Sequence, residues 1–218
     1  IDRIADLSEK ADAKAKYAYT VGVILRDEMK NPEDAVERFN QALDFDSDQL
    51  KSFEDNLAKY VGTKYAVGFN SGYDALHLSL RAAGIGAGDE VLVPAHTFVA
   101  SCSAIVNAGA TPVLVDVGKD FNIDVSKIEE AISSKTKGIM PVHLNGFLAD
   151  MPAIMKIAEK HNLTVVEDAC QSLGSSINGK GAGAWGLTGC FSFYPFKILG
   201  GYGDGGALTT NDEKVMLF

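Results

Sequence analysis

From about residue 48 onward, short apolar runs alternate with helical stretches, and this alternation restricts the fold more than any other feature of the chain. Tyr65–Phe69, Glu90–Val93, Pro112–Val115, Gly138–Val142, Thr164–Glu167, Gly189–Phe193 and Ala207–Thr210 read as strands. Asp48–Tyr60, Gly72–Ala83, Thr97–Ala108, Val125–Ile132 and Met151–His161 read as helices, and the chain ends in a helical stretch that begins at Asp212. Such an order builds βαβ units around a mainly parallel sheet. Val91-Leu92-Val93 and Thr164-Val165-Val166 lack a polar face, as strands covered on both sides should. In sheets of this kind ligands sit beyond the carboxyl ends of the strands. The 218 residues are 46% hydrophobic, which excludes a disordered chain. A net charge of −9 argues against nucleic acid or an anionic membrane surface as the main partner. No apolar run is long enough to span a bilayer.

Residues 1–47 have a different texture. They carry no strand signal, and Ala18, Val21, Leu25, Ala35, Phe39, Ala42 and Leu43 recur at helical spacing around the break at Asn31-Pro32. The expected unit is an α-helical hairpin. The order Ala18, Val21, Gly22, Leu25, Ala35, Phe39, Ala42 resembles a tetratricopeptide repeat, with one residue too many between Gly22 and Ala35 and with Ser47 where that repeat has proline. Cys102, Cys170 and Cys190 form no CxxC pair, which argues against a disulfide framework or structural zinc and for a cytoplasmic setting.

Three strand ends carry chemistry. Asn70-Ser71-Gly72 follows the first strand and opens a helix; the pattern suits either a plain capped helix or an anion site at the helix N-terminus. Asp168 stands just past an apolar strand, either as a turn residue or as a site acid. The aromatic run Cys190–Phe196 delivers Ser192 and then Lys197 into a glycine-rich turn; half of the 22 glycines lie between Gly174 and Gly206. A lysine among apolar neighbours is either a surface cation with a buried stem or a desolvated nucleophile. Gly181–Gly186 and Gly201–Gly206 both match GxGxxG, but neither opens a helix after a strand, so neither is a dinucleotide fingerprint. The four histidines show no metal spacing; His96 and His143, each after a strand, are secondary site candidates. An anion cradle, a strand-end acid and a lysine together suit pyridoxal phosphate (PLP).

With these pieces in place, residues from about Phe53 to Phe218 closely resemble the DegT/DnrJ/EryC1/StrS family of PLP-dependent sugar aminotransferases. The resemblance rests on Ser71–His77, Gly88–Pro94, Thr97-Phe98, Pro141–Leu144, Glu167–Gln171, Ser192–Pro195, Lys197 and Gly203–Gly206, in family order and nearly family spacing. It implies a fold type I large domain, α/β with a mainly parallel sheet, over residues 48–218, with the smaller C-terminal domain missing and the helical hairpin in place of the usual N-terminal segment. It also implies roles. Lys197 would form the imine with the cofactor and move protons. Asp168 would pair with the ring nitrogen, Gln171 would lie near the phenolic oxygen and Phe98 would stack on the ring. Ser71, Gly72 and Ser192 would hold the phosphate. Tyr73 departs from the family, which has threonine or a small residue there. The implied reaction passes an amino group from a donor such as glutamate to a nucleotide-linked keto-sugar, in a homodimer, for polysaccharide or secondary-metabolite sugars. Sugar-dehydrating relatives carry histidine in place of the lysine, so Lys197 argues against them. The alternative is a truncated, inactive PLP-fold fragment fused to a helical-repeat interaction module.

Overall fold

The computed structural model describes residues 50–218, so the hairpin expected over residues 1–47 lies outside the described residues. The described chain starts in a helix, α1 (residues 50–61). It continues through β1 (Tyr65–Phe69), α2 (Gly72–Ala82), β2 (Glu90–Pro94), α3 (Val99–Asn107), β3 (Thr111–Val115) and α4 (Val125–Ile128). Then come β4 (Thr136–Ile139), α5 (Met151–His161), β5 (Thr164–Asp168), β6 (Ser176–Ile177), β7 (Lys180–Gly181), β8 (Thr188–Ser192), β9 (Gly206–Thr210) and α6 (Glu213–Met216).

Seven strands form one sheet in the order β1-β9-β8-β5-β4-β2-β3. β3, β2, β4, β5 and β8 pair in parallel, and β9 runs against both β8 and β1. The carboxyl ends of β1, β2, β5 and β8 therefore share one edge with the amino end of β9. Alternation along the strands divides the core into two layers. Val91, Val93 and Val166 pack with Leu76 and Leu80 of α2 and Ile105 of α3. Leu92 and Val165 face the other way, onto Ile128 of α4 and Met151 and Ile154 of α5. All of these side chains are buried, each contributing roughly 1.5–3 kcal/mol.

Local departures from the expected elements have physical causes. β4 starts two residues earlier than expected and ends at Ile139, because Pro141 has no N–H to give the ladder; the chain rejoins the sheet only as a bridge from Val142 to Asp168. The helix expected over Val125–Ile132 tightens into a 3-10 turn at Glu129–Ala131. The β6–β7 hairpin is additional. Its turn residues Asn178 and Gly179 have φ of 54° and 78°, the conformation of a tight hairpin turn, for which Asn-Gly is the strongest local signal.

Candidate active site

Strand ends and the loops after them enclose a cavity of about 410 Å³. Ser71, Gly72, Phe98, Asp168, Gln171, Ser192 and Lys197, the seven residues singled out from the sequence, all line it.

Ser71 caps α2. Its Oγ accepts from Asp74 N at 3.1 Å and donates to Asp74 Oδ2 at 2.7 Å. With the hydroxyl so engaged, the amides free to face a ligand are those of Gly72 and Tyr73, at the positive end of the helix dipole. Gly72 is required by space. A Cβ there would come within 2.7 Å of Cys170 Sγ and 2.8 Å of Ser192 Cβ. Gly206, opening β9, backs onto Ser71 and Gly72 so tightly that a Cβ would overlap their backbone. The Tyr73 phenol accepts from Asn107 Nδ2 on α3, so this departure from the family pattern is tied to a neighbouring helix.

Asp168 closes β5 and is 5% exposed. Its Oδ2 accepts from Ser101 Oγ at 2.7 Å and its Oδ1 from Cys170 N at 3.2 Å. Gln171 Oε1 accepts from Asn145 N at 2.9 Å, which turns the amide nitrogen into the free end. Ser192 ends β8, and Tyr194 N reaches its Oγ at 3.4 Å. Phe98 precedes α3 and is 65% exposed. Lys197 makes no ion pair or side-chain hydrogen bond among the described residues, and its backbone is held by Tyr194 O at 2.8 Å.

Cys170 shares the cavity, but burial, followed by the negative field of Asp168, pushes its thiol well above the usual range. It is therefore a thiol at neutral pH and a poor nucleophile. Iodoacetamide at pH 7.5 is expected to leave Cys170 unmodified in the folded chain, as read by peptide mass mapping; alkylation there within minutes would contradict this.

Two secondary candidates need correction. His96 meets Phe121 edge-on at 5.7 Å and does not line the cavity. His143 is fully buried behind the site. Its Nδ1 accepts from Ala149 N at 3.2 Å, so its proton sits on Nε2 and is donated to Glu167 Oε2 at 3.0 Å. Glu167, equally buried, also accepts from Gly183 N at 2.9 Å, Trp185 N at 2.7 Å and Gly186 N at 2.8 Å. The glycine motif Gly181–Gly186 thus wraps a protein carboxylate. An acidic residue inside an apolar strand was the available sequence signal for such a buried partner set.

The DegT/DnrJ/EryC1/StrS aminotransferase family matches residues 27–216, reaching further toward the N-terminus than the motifs alone indicate. The chain is 50% identical over 168 residues to a UDP-N-acetyl-3-dehydro-alpha-D-glucosamine 3-aminotransferase of Acidithiobacillus ferrooxidans, covering 77% of this chain and 46% of that one. The crystal structure of Streptomyces venezuelae DesV superposes with a TM-score of 0.76 at 47% identity, covering 78% of this chain and 46% of that one. The PLP-form of the putative sugar aminotransferase Spr1654 from Streptococcus pneumoniae superposes with a TM-score of 0.72 at 36% identity, covering 77% and 46%. The chain spans about half the length of the curated relatives it matches.

Proposed function

The chain belongs to the DegT/DnrJ/EryC1/StrS aminotransferase family, and from that premise we propose that residues 48–218 are the PLP-binding large domain of a sugar aminotransferase. The reaction would pass an amino group from an amino-acid donor such as glutamate to a nucleotide-linked keto-sugar. One observation carries the reading: a single cavity joins a primary amine, a buried carboxylate and an open helix N-terminus.

These groups fit PLP. The amides of Gly72 and Tyr73, which have no partner among the described residues, form an anion cradle with Ser192 beside them, and a Cβ at residue 72 would crowd Ser192 and Cys170 at its wall. When bound, PLP supplies an electron sink for charge developing on the substrate carbon. Asp168 would hold the proton of the ring nitrogen. Gln171, with its oxygen taken by Asn145, would offer its N–H to the phenolic oxygen. Phe98 would cover one face of the ring. Lys197 Nζ, which has no carboxylate partner among the described residues, would bind the cofactor and then carry the proton between carbon positions.

Phe196, 90% exposed, and Ile198, 65% exposed, leave an apolar rim beside the lysine. Such a rim supports a homodimer in which a second copy covers it. A cytoplasmic setting is supported by the three free thiols. Among the described residues no helix is long and apolar enough to cross a membrane. For residues 1–47 a TPR-like hairpin is a proposal that rests on the sequence pattern alone, and the family match already takes in residues 27–47.

The test is a visible spectrum of the chain with added PLP, then borohydride trapping and peptide mapping. A yellow band with the label on Lys197 is the expected result. Label scattered over surface lysines would instead favour the inactive-fragment alternative.

A further inference from the structure

We infer that Ser101, with Thr97 behind it, is a positioning residue that holds Asp168 as an oriented carboxylate facing the cofactor's ring nitrogen. The inference rests on the PLP reading above. Ser101 was not among the residues the sequence motifs selected, and Thr97 stood there only in the Thr97-Phe98 match, with no role of its own.

Ser101 is fully buried on α3, and its Oγ lies 2.7 Å from Asp168 Oδ2. Asp168 has no hydrogen to give as a carboxylate, so Ser101 donates its only one. Thr97 Oγ1 lies 2.7 Å from Ser101 Oγ. Because the serine proton is already committed, Thr97 must be the donor in that contact. The chain therefore has one polarity, from Thr97 to Ser101 to Asp168, and each link strengthens the next. Thr97 lines the cavity and Ser101 does not, so the relay starts at the rim of the site and ends on its acid.

The alternation of β5 makes this possible. Asp168 shares the face of Val166, toward α2 and α3, whereas Glu167 turns to the opposite layer. A hydrogen bond donated to a carboxylate favours its charged form. Without Ser101 the proton shared between ring nitrogen and acid would move toward Asp168, leaving the ring a weaker electron sink.

The test uses the full chain loaded with PLP enriched in 15N at the ring nitrogen, whose chemical shift reports its protonation as pH is varied. Ser101→Ala is expected to lower the protonated fraction of the ring nitrogen on the low-pH side of that titration, the N–H to O–H ratio of the shared proton falling about tenfold. Thr97→Val should lower it by less, Thr97→Ser should preserve it, and Thr97→Val should add nothing once Ser101 is alanine. A purely structural role would lower the melting temperature of the PLP-free chain without moving the ring titration, and that result overturns the inference. So does a Thr97→Val effect of equal size with and without Ser101. If Ser101→Ala does not fold, Thr97→Val against Thr97→Ser decides alone. A wild-type chain that never links PLP to Lys197 overturns the functional reading and this inference together. A wild type that binds PLP with a protonated ring, alongside unmoved variants, sinks only the role of Ser101.

Discussion

Lys197→Ala is expected to abolish borohydride-trappable PLP and to reduce transamination by at least about 1,000-fold, the scale of losing a positioned proton carrier together with the covalent attachment point. The expectation comes from the geometry of the cavity. Among the described residues Lys197 is the only amine lining it, and no carboxylate or hydroxyl there ties up its Nζ. The cradle at Gly72 and Tyr73 and the acid at Asp168 do not depend on this side chain. The variant should therefore keep weak, non-covalent affinity for PLP while losing the label. Equilibrium dialysis and trapping on the same preparation separate the two effects. A variant that still turned over substrate would remove Lys197 from the mechanism. A variant that lost all PLP affinity and its fold would mean that the lysine loop is structural.

Glu167→Gln should be the most damaging conservative change outside the cavity, at about 3–5 kcal/mol, the range seen when one partner of a buried charged set is removed. Both carboxylate oxygens are in use, each by two donors. Oε1 takes the N–H groups of Trp185 and Gly186; Oε2 takes Gly183 N–H and the His143 imidazole. A glutamine brings one oxygen and one NH2 group. Whichever way the amide turns, two protein donors face a third donor in a region with no water access. For a domain of this size the cost corresponds to a fall in melting temperature of roughly 6–20 °C. Thermal or urea unfolding of the purified variant reads it directly. A change under about 0.5 kcal/mol, ordinary for surface positions, would show that the pair is not a structural clasp.

The clasp and the site are built on neighbouring residues. Glu167 stitches the loop before β8 and the segment after β4 to the end of β5, and Asp168 emerges from that same end into the cavity. Loosening Glu167 should therefore weaken PLP binding as well as stability, whereas Lys197→Ala should affect binding and leave stability nearly unchanged.

Much of the fold was legible in the chain because its signals are local. Strand and helix patterns and the cap at Ser71 all depend on a few adjacent residues. The seven cavity residues were legible for a related reason. Each sits at the end of a strand or in the loop that follows it, and parallel strands bring such ends to one edge in any order. The two-residue strands β6 and β7 were too short for periodicity to mark, and Pro141 shortened β4 against an apolar pattern that ran on.

What the tertiary structure alone decided is which strand lies beside which, and what each buried polar group therefore meets. The order β8-β5-β4 places residues 183–186 on one side of Glu167 and His143 on the other. The packing of α3 against that sheet brings Ser101 to Asp168 across 67 positions of sequence. Local composition carries no record of those pairings. A buried carboxylate reveals in the sequence only that it needs donors, and long-range packing supplies them. The chain by itself determined the βαβ alternation and the residues at its strand ends. The folded sheet determined that one acid of the Glu167-Asp168 pair faces the cavity and the other locks the structure behind it, since successive side chains of a strand point to opposite layers.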